Sequence, residues 1–193
     1  ACPSASTPPG TALSDFAGRI PSEISNAMIV DGKAIADEIR GELKKEIQAF
    51  EVAPRLDVIL IGSDPASVAY VKRKQAFGGS IGAEVVVHAR QVGELPDENA
   101  LTVFVSRVVQ NPATDGIIVQ LPLPESLRAH TRRALDMIPA EKDADCLSSD
   151  AVKRFVSGKD VVRPPLVGVA DEIFRRYRVD IHGKKIALVG ATG

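Results

Sequence analysis

The chain has 193 residues, 45% of them hydrophobic and 25% charged, with a formal net charge of -1 and a sequence pI of about 6.4. That length suits one domain, or one and a part, and is enough for a hydrophobic core without staples. A basic block of nucleic-acid-binding size, an apolar run near the ~20 residues that span a bilayer, and cysteines in metal-ligand spacing are all missing, which disfavours a nucleic acid, a membrane or a metal as partner.

The two cysteines, Cys2 and Cys146, stand far apart, so a disulfide framework is not expected and a reducing setting fits better. Residues 1–27 are rich in Ala, Ser and Pro. They lack the charged-then-apolar layout of a secretory signal, and Asp15 and Glu23 against Arg19 alone argue against a mitochondrial presequence. They read as a disordered leader or an upstream fusion. With no convincing targeting segment, the expected location is cytoplasmic, with an organelle as the alternative.

From Asp31 the pattern turns helical. Ile35, Ile39, Leu43 and Ile47 recur every four residues with charges between them, which predicts an amphipathic helix over 31–50. The apolar run LDVILIG (56–62) predicts a buried strand. Asp64-Pro65 turns the chain, and Ser67 is the expected cap of a second helix through Tyr70 and Lys74, weakened at its end by Gly78, Gly79 and Gly82. EVVVHA (84–89) predicts the second strand. Pro96-Asp97 opens a third helix with Leu101, Phe104, Val105, Val108 and Val109 on its apolar side, ended by Asn111-Pro112. Residues 116–120 predict a third strand stopped by Pro122 and Pro124. Residues 127–138 read as a helix, 139–167 as loop, 168–177 as a helix and 184–190 as a final strand. Strands alternating with helices imply an α/β fold with a parallel sheet and helices on both faces, in three layers. Such sheets bind ligands at the carboxyl ends of their strands, here near residues 62–70 and 120–124.

Three features lie at those ends. Tyr70 and Lys74 are four apart, so on a helix they share a face. A tyrosine offers an aromatic surface to a flat ligand, and a lysine amine can serve as acid or base. Taken alone such a pair is more often a surface lysine beside a half-buried tyrosine, and Lys72-Arg73-Lys74 a solvated helix face. Gln120 ends an apolar strand and must find partners. Its amide could orient the lysine amine without competing for its proton, or simply be satisfied by backbone. In Glu141-Lys142-Asp143-Ala144-Asp145, two acids two apart could accept N–H bonds from an amino-pyrimidine edge, or form an Asx turn.

Together these features resemble the methylenetetrahydrofolate dehydrogenase/methenyltetrahydrofolate cyclohydrolase family. The resemblance rests on IVDGKAIADEIR (29–40), LDVILIGSDPASVAYVKRK (56–74) with its Tyr-x-x-x-Lys motif, DGIIVQLPLP (115–124) and PAEKDADCL (139–147), and runs in register from 28 to 193. It implies an enzyme of one-carbon metabolism that oxidises methylenetetrahydrofolate with NADP (NAD in some members) and hydrolyses the methenyl product to formyltetrahydrofolate. By that resemblance Lys74 is the general acid/base, Tyr70 packs on the folate, and Gln120 sets the protonation of Lys74. Asp145 holds the pterin-like end, and Ser67, Leu121 and Pro122 line the substrate site. A homodimer is implied as well.

The resemblance also divides the chain into a leader (1–27), a tetrahydrofolate-binding catalytic domain (28–167), and a linker helix with the first strand of a Rossmann domain (168–193). In the last of these, Gly190 and Thr192 begin the dinucleotide motif. On this reading the chain is a fragment whose NADP site is incomplete. The family has Gly where this chain has Cys146, Asn and Gly at Ala151 and Lys153, and Pro-Cys-Thr-Pro-x-Gly against Arg163 to Gly168. These departures support an alternative, a divergent non-catalytic folate-binding or interaction protein. A two-domain dehydrogenase for another small substrate is a third reading.

Overall fold

The computed structural model describes residues 29–159 and 162–186. By backbone contacts the chain separates into 1–32 and 33–193, and the elements below belong to the second unit, α1 alone beginning at Gly32. Three strands, β1 (Arg55–Ile61), β2 (Glu84–Arg90) and β3 (Gly116–Val119), form a parallel sheet in the order β2-β1-β3. Parallel neighbours need long crossovers. Helix α2 (Pro65–Ile81) supplies the first, and α3 (Glu98–Val109) the second.

The central strand is buried on both faces, as its unbroken apolar run requires, and each face has its own core. Ile59 and Ile61, with Ile117 and Val119 of β3, pack against Leu101, Phe104, Val105 and Val108 of α3. Ala134 and Leu135 of α4 (Thr131–Asp136) join that core. On the other face Val58, Leu60 and Ile118 pack against Val71 of α2. Helices therefore cover both faces of the parallel sheet, as the alternation of elements predicted.

Several local expectations are corrected. Ser67 does not cap α2: Asp64 does, its carboxylate accepting the Ser67 N–H at 2.8 Å, with Pro65 in the first turn. The glycines near the end of α2 do not stop it early, and the helix runs to Ile81 with Gly82 as its left-handed cap. A Cβ on Gly78 would fall 2.3 Å from Cγ2 of Val85, so the glycine lets α2 approach β2. The predicted helix over 127–138 is a 3-10 turn (Glu125–His130) followed by the short α4. The stretch 139–167 is not all loop: α5 (Ser149–Val156) lies within it, capped by the Ser148 hydroxyl, which accepts the Ala151 N–H at 3.3 Å. Helix α6 (Pro165–Tyr177) begins three residues earlier than predicted, on a proline suited to a first turn.

The stripe Ile35, Ile39, Leu43 and Ile47 falls on one face of α1 (Gly32–Ile47), yet none of the four is fully buried. Of the final strand expected at 184–190, residues 184–186 are not strand, and the rest lies outside the described residues. The free edge of β3 is met instead by the loop after α4. Ile117 donates its N–H to the Lys142 carbonyl at 2.6 Å and accepts the Ala144 N–H at 3.2 Å, a parallel bridge between Ile117 and Asp143.

Candidate functional site

The site grows from the carboxyl ends of β1 and β3. β1 ends at Ile61, Gly62 follows it, and the Asp64 cap then fixes where α2 begins. Tyr70 and Lys74 lie one turn apart on that helix. Tyr70 is 55% exposed, with the Arg73 guanidinium 5.6 Å from its ring centroid. The Lys74 side chain is half-buried and turns toward the sheet.

From β3, the Gln120 N–H donates to the Ile59 carbonyl at 2.9 Å, carrying the sheet register one residue past the strand. Its side-chain amide donates to the Leu121 carbonyl at 2.9 Å, which turns the amide oxygen toward the lysine. Lys74 Nζ donates to that oxygen at 3.3 Å. Leu121 packs on the α3-side core and Leu123 is buried within it, so the loop is anchored on alternate residues. Pro122 is exposed between them, and the Leu121–Pro122 peptide is cis.

The third wall is the loop bridged to β3. It brings Asp145 Oδ2 to 3.9 Å from Lys74 Nζ, both side chains being about one quarter exposed. Burial pushes the Asp145 carboxyl above the usual aspartate value; Lys74 opposes the rise and the neighbouring Asp143 carboxylate adds to it. Asp143 points inward, 2% exposed, and accepts the N–H groups of Leu147 and Ser148. The two acids of this loop therefore do different things. Cys146 follows with a φ of 52°, in the left-handed region that favours glycine. Its buried side chain packs with Ala140 and Ala151.

The structure brings together Lys74, Gln120 and Asp145, which sequence reasoning singled out, with Tyr70 on the same helix. Ser67 is buried at the start of α2, its N–H and hydroxyl both turned to Asp64. Gly190 and Thr192 lie outside the described residues.

Sequence reasoning missed a buried polar group in β1. Asp57, fully buried, takes two 3.0 Å bonds from the Arg55 guanidinium, one of 2.6 Å from the Thr114 hydroxyl, and a further bond from His88 Nε2. Burial pushes its carboxyl up, but these bonds outweigh it and hold it at about 2. An aspartate inside the run LDVILIG was the available signal, since a buried carboxylate needs partners. Among the described residues, no helix is long and apolar enough to cross a membrane.

The fold and site define an α/β domain with Lys74, Gln120 and Asp145 brought together at the carboxyl ends of parallel strands. The family model described as tetrahydrofolate dehydrogenase/cyclohydrolase, catalytic domain, matches residues 30–145. The chain belongs to that family.

Among its relatives is the bifunctional protein FolD of Bdellovibrio bacteriovorus, 35% identical over 169 residues, an overlap of 86% of this chain and 57% of the relative. The 5,10-methylenetetrahydrofolate dehydrogenase of the silkworm, Bombyx mori, superposes with a TM-score of 0.73 at 31% identity, over 80% of this chain and 53% of that one. The Trypanosoma brucei methylenetetrahydrofolate dehydrogenase-cyclohydrolase, solved with NADP cofactor and inhibitor, gives 0.72 at 29% identity, over 82% and 54%. The chain thus spans little more than half the length of these relatives.

Proposed function

We propose that the whole protein oxidises methylenetetrahydrofolate to methenyltetrahydrofolate and hydrolyses that product to formyltetrahydrofolate, and that residues 28–167 form its folate side. The observation that carries this reading is the convergence on Lys74 Nζ of the Gln120 amide oxygen at 3.3 Å and the Asp145 carboxylate at 3.9 Å. Residues 168–193 are the proposed linker and start of the dinucleotide domain. NADP, with NAD as the alternative, would supply the hydride acceptor when bound. The residues assigned to it, Gly190 and Thr192, lie outside the described residues, so the roles below concern folate alone.

Loss of hydride leaves an electron-poor methenyl carbon between two nitrogens. Water adds there once a base takes its proton, and Lys74 in its neutral form is that base. The resulting lysine ammonium returns that proton to the leaving nitrogen, and the neutral amine then takes the remaining hydroxyl proton as the carbon–nitrogen bond breaks and the formyl carbonyl forms, passing it to solvent, so one amine serves both halves of the hydrolysis. Gln120 steers the amine without competing as a base, because its oxygen only accepts. Tyr70, exposed on the helix turn before Lys74, packs on the flat substrate. Asp145 accepts N–H bonds from the pterin-like end, Leu121 and Pro122 form a wall, and Ser67 belongs to the substrate site through the family resemblance alone. Homodimer assembly and a cytoplasmic location belong to this proposal through the family resemblance.

The test is turnover by the full-length protein. Methylenetetrahydrofolate with NADP should yield NADPH, and methenyltetrahydrofolate alone should be hydrolysed. A folded protein that turns over neither and binds no folate would leave the non-catalytic reading in its place.

A further inference from the structure

We propose that Asp143 is the positioning residue that holds the Asp145 carboxylate opposite the Lys74 amine. The inference deepens the folate reading above, although its geometry involves only this chain's own residues.

The loop between β3's free edge and α5 is fixed at both ends. At the first, the backbone of residues 142–144 is hydrogen-bonded to Ile117. At the second, Ser148 caps α5. Asp145 lies between, and Asp143 joins the two ends across it. One oxygen of its buried carboxylate accepts both the Leu147 N–H at 2.9 Å and the Ser148 N–H at 2.6 Å, and its carbonyl accepts the Cys146 N–H at 3.1 Å. Residues 144–146 are thereby drawn into a tight turn that directs Asp145 away from the core and toward Lys74. A buried carboxylate spent on backbone donors is costly unless the placement matters. The charge also acts at a distance, since it adds to the upward displacement of the Asp145 carboxyl that burial begins.

The experiment uses the full-length protein and its Asp143→Ala and Asp143→Asn variants. Asp145 is titrated by carboxyl carbon NMR, its resonance assigned by its loss in Asp145→Asn, and methenyltetrahydrofolate hydrolysis is followed in parallel. Asn keeps a neutral acceptor for both N–H groups but removes the like charge, so the Asp145 midpoint is expected to fall while KM stays within about threefold of the parent. Ala removes both bonds to a charged acceptor and is expected to raise KM about tenfold or more with the smaller change in kcat. A folded Asp143→Ala protein with the parent's KM overturns the proposal. If Ala fails to fold, Asp143→Ser, too short to reach both N–H groups, takes its place with the same two outcomes. If the parent hydrolyses nothing, the folate reading falls, and the positioning is read from the Asp145 carboxyl resonance: its response to Lys74→Ala should be lost in the Asp143→Ala background, and a response that persists unchanged overturns the proposal.

Discussion

Gly62 and Pro124 lie so close that a methyl group on the first would sit 3.2 Å from Cγ of the second. Gly62 also has a φ of 82°, which L side chains rarely adopt. Two requirements meet at this residue, a left-handed exit from β1 and room for the loop that leaves β3 through Gln120. Gly62→Ala should cost about 1–2 kcal/mol for the backbone alone. Because Pro124 must give way, kcat/KM should fall by more than the lost stability explains. Urea unfolding and turnover of the same preparation check this, and unchanged kinetics in a destabilised variant would detach Gly62 from the site.

Asp57 makes stability depend on acid. Its folded pKa of about 2 lies below the ordinary value of 3.8, so its contribution is complete above the unfolded value and is lost as pH falls toward the folded one. The displacement corresponds to about 2 kcal/mol, lost between about pH 4 and 2. Asp57→Ala leaves the buried Thr114 hydroxyl without its acceptor and should cost about 1–3 kcal/mol at neutral pH. The variant should also show a shallower fall in stability below pH 4, measured by urea unfolding across that range. Asp64, Asp136 and Glu172 are also held low, so the slope should shrink rather than vanish.

Tyr70 separates binding from folding. It is 55% exposed, so Tyr70→Ala should change stability by no more than about 0.5 kcal/mol. If its ring packs on the folate, the same variant should raise KM severalfold, and Tyr70→Phe should recover most of the loss. A calorimetric melt and a substrate titration suffice.

The sheet was legible because its strands are continuous apolar runs, and each was placed within a residue or two. Lys74 and Gln120 were legible because a polar residue at the end of a buried strand needs a partner, and Lys74 lies on the helix that leaves another strand end. Asp145 was found with Asp143 as an undivided acidic pair, since spacing gives no sign of which carboxylate turns inward. That division depends on the bridge to Ile117, a contact between distant segments. Helix α5 was missed because eight residues give little periodicity. For α1 the apolar stripe was right, but burial depends on what packs against it, which periodicity does not encode.

Cys146 should be inert in the native protein. It is 1% exposed, and burial, with the Asp143 charge beside it, pushes its thiol above the ordinary value. The peptide carrying Cys146 should take up a thiol reagent only on unfolding, as read by mass spectrometry. Labelling at the rate of a free thiol under native conditions would contradict the tight turn at this residue.

The most direct test of the lysine-centred site is methenyltetrahydrofolate hydrolysis by the full-length protein and its Lys74→Ala variant, followed by loss of near-ultraviolet absorbance. This step needs no hydride acceptor and isolates the folate side. Hydrolysis by the parent and a loss of at least about a hundredfold in a folded Lys74→Ala protein is the expected result, the scale of a missing general base. Equal hydrolysis by both would remove Lys74 from the chemistry, and with it the role assigned to Gln120 and Asp145.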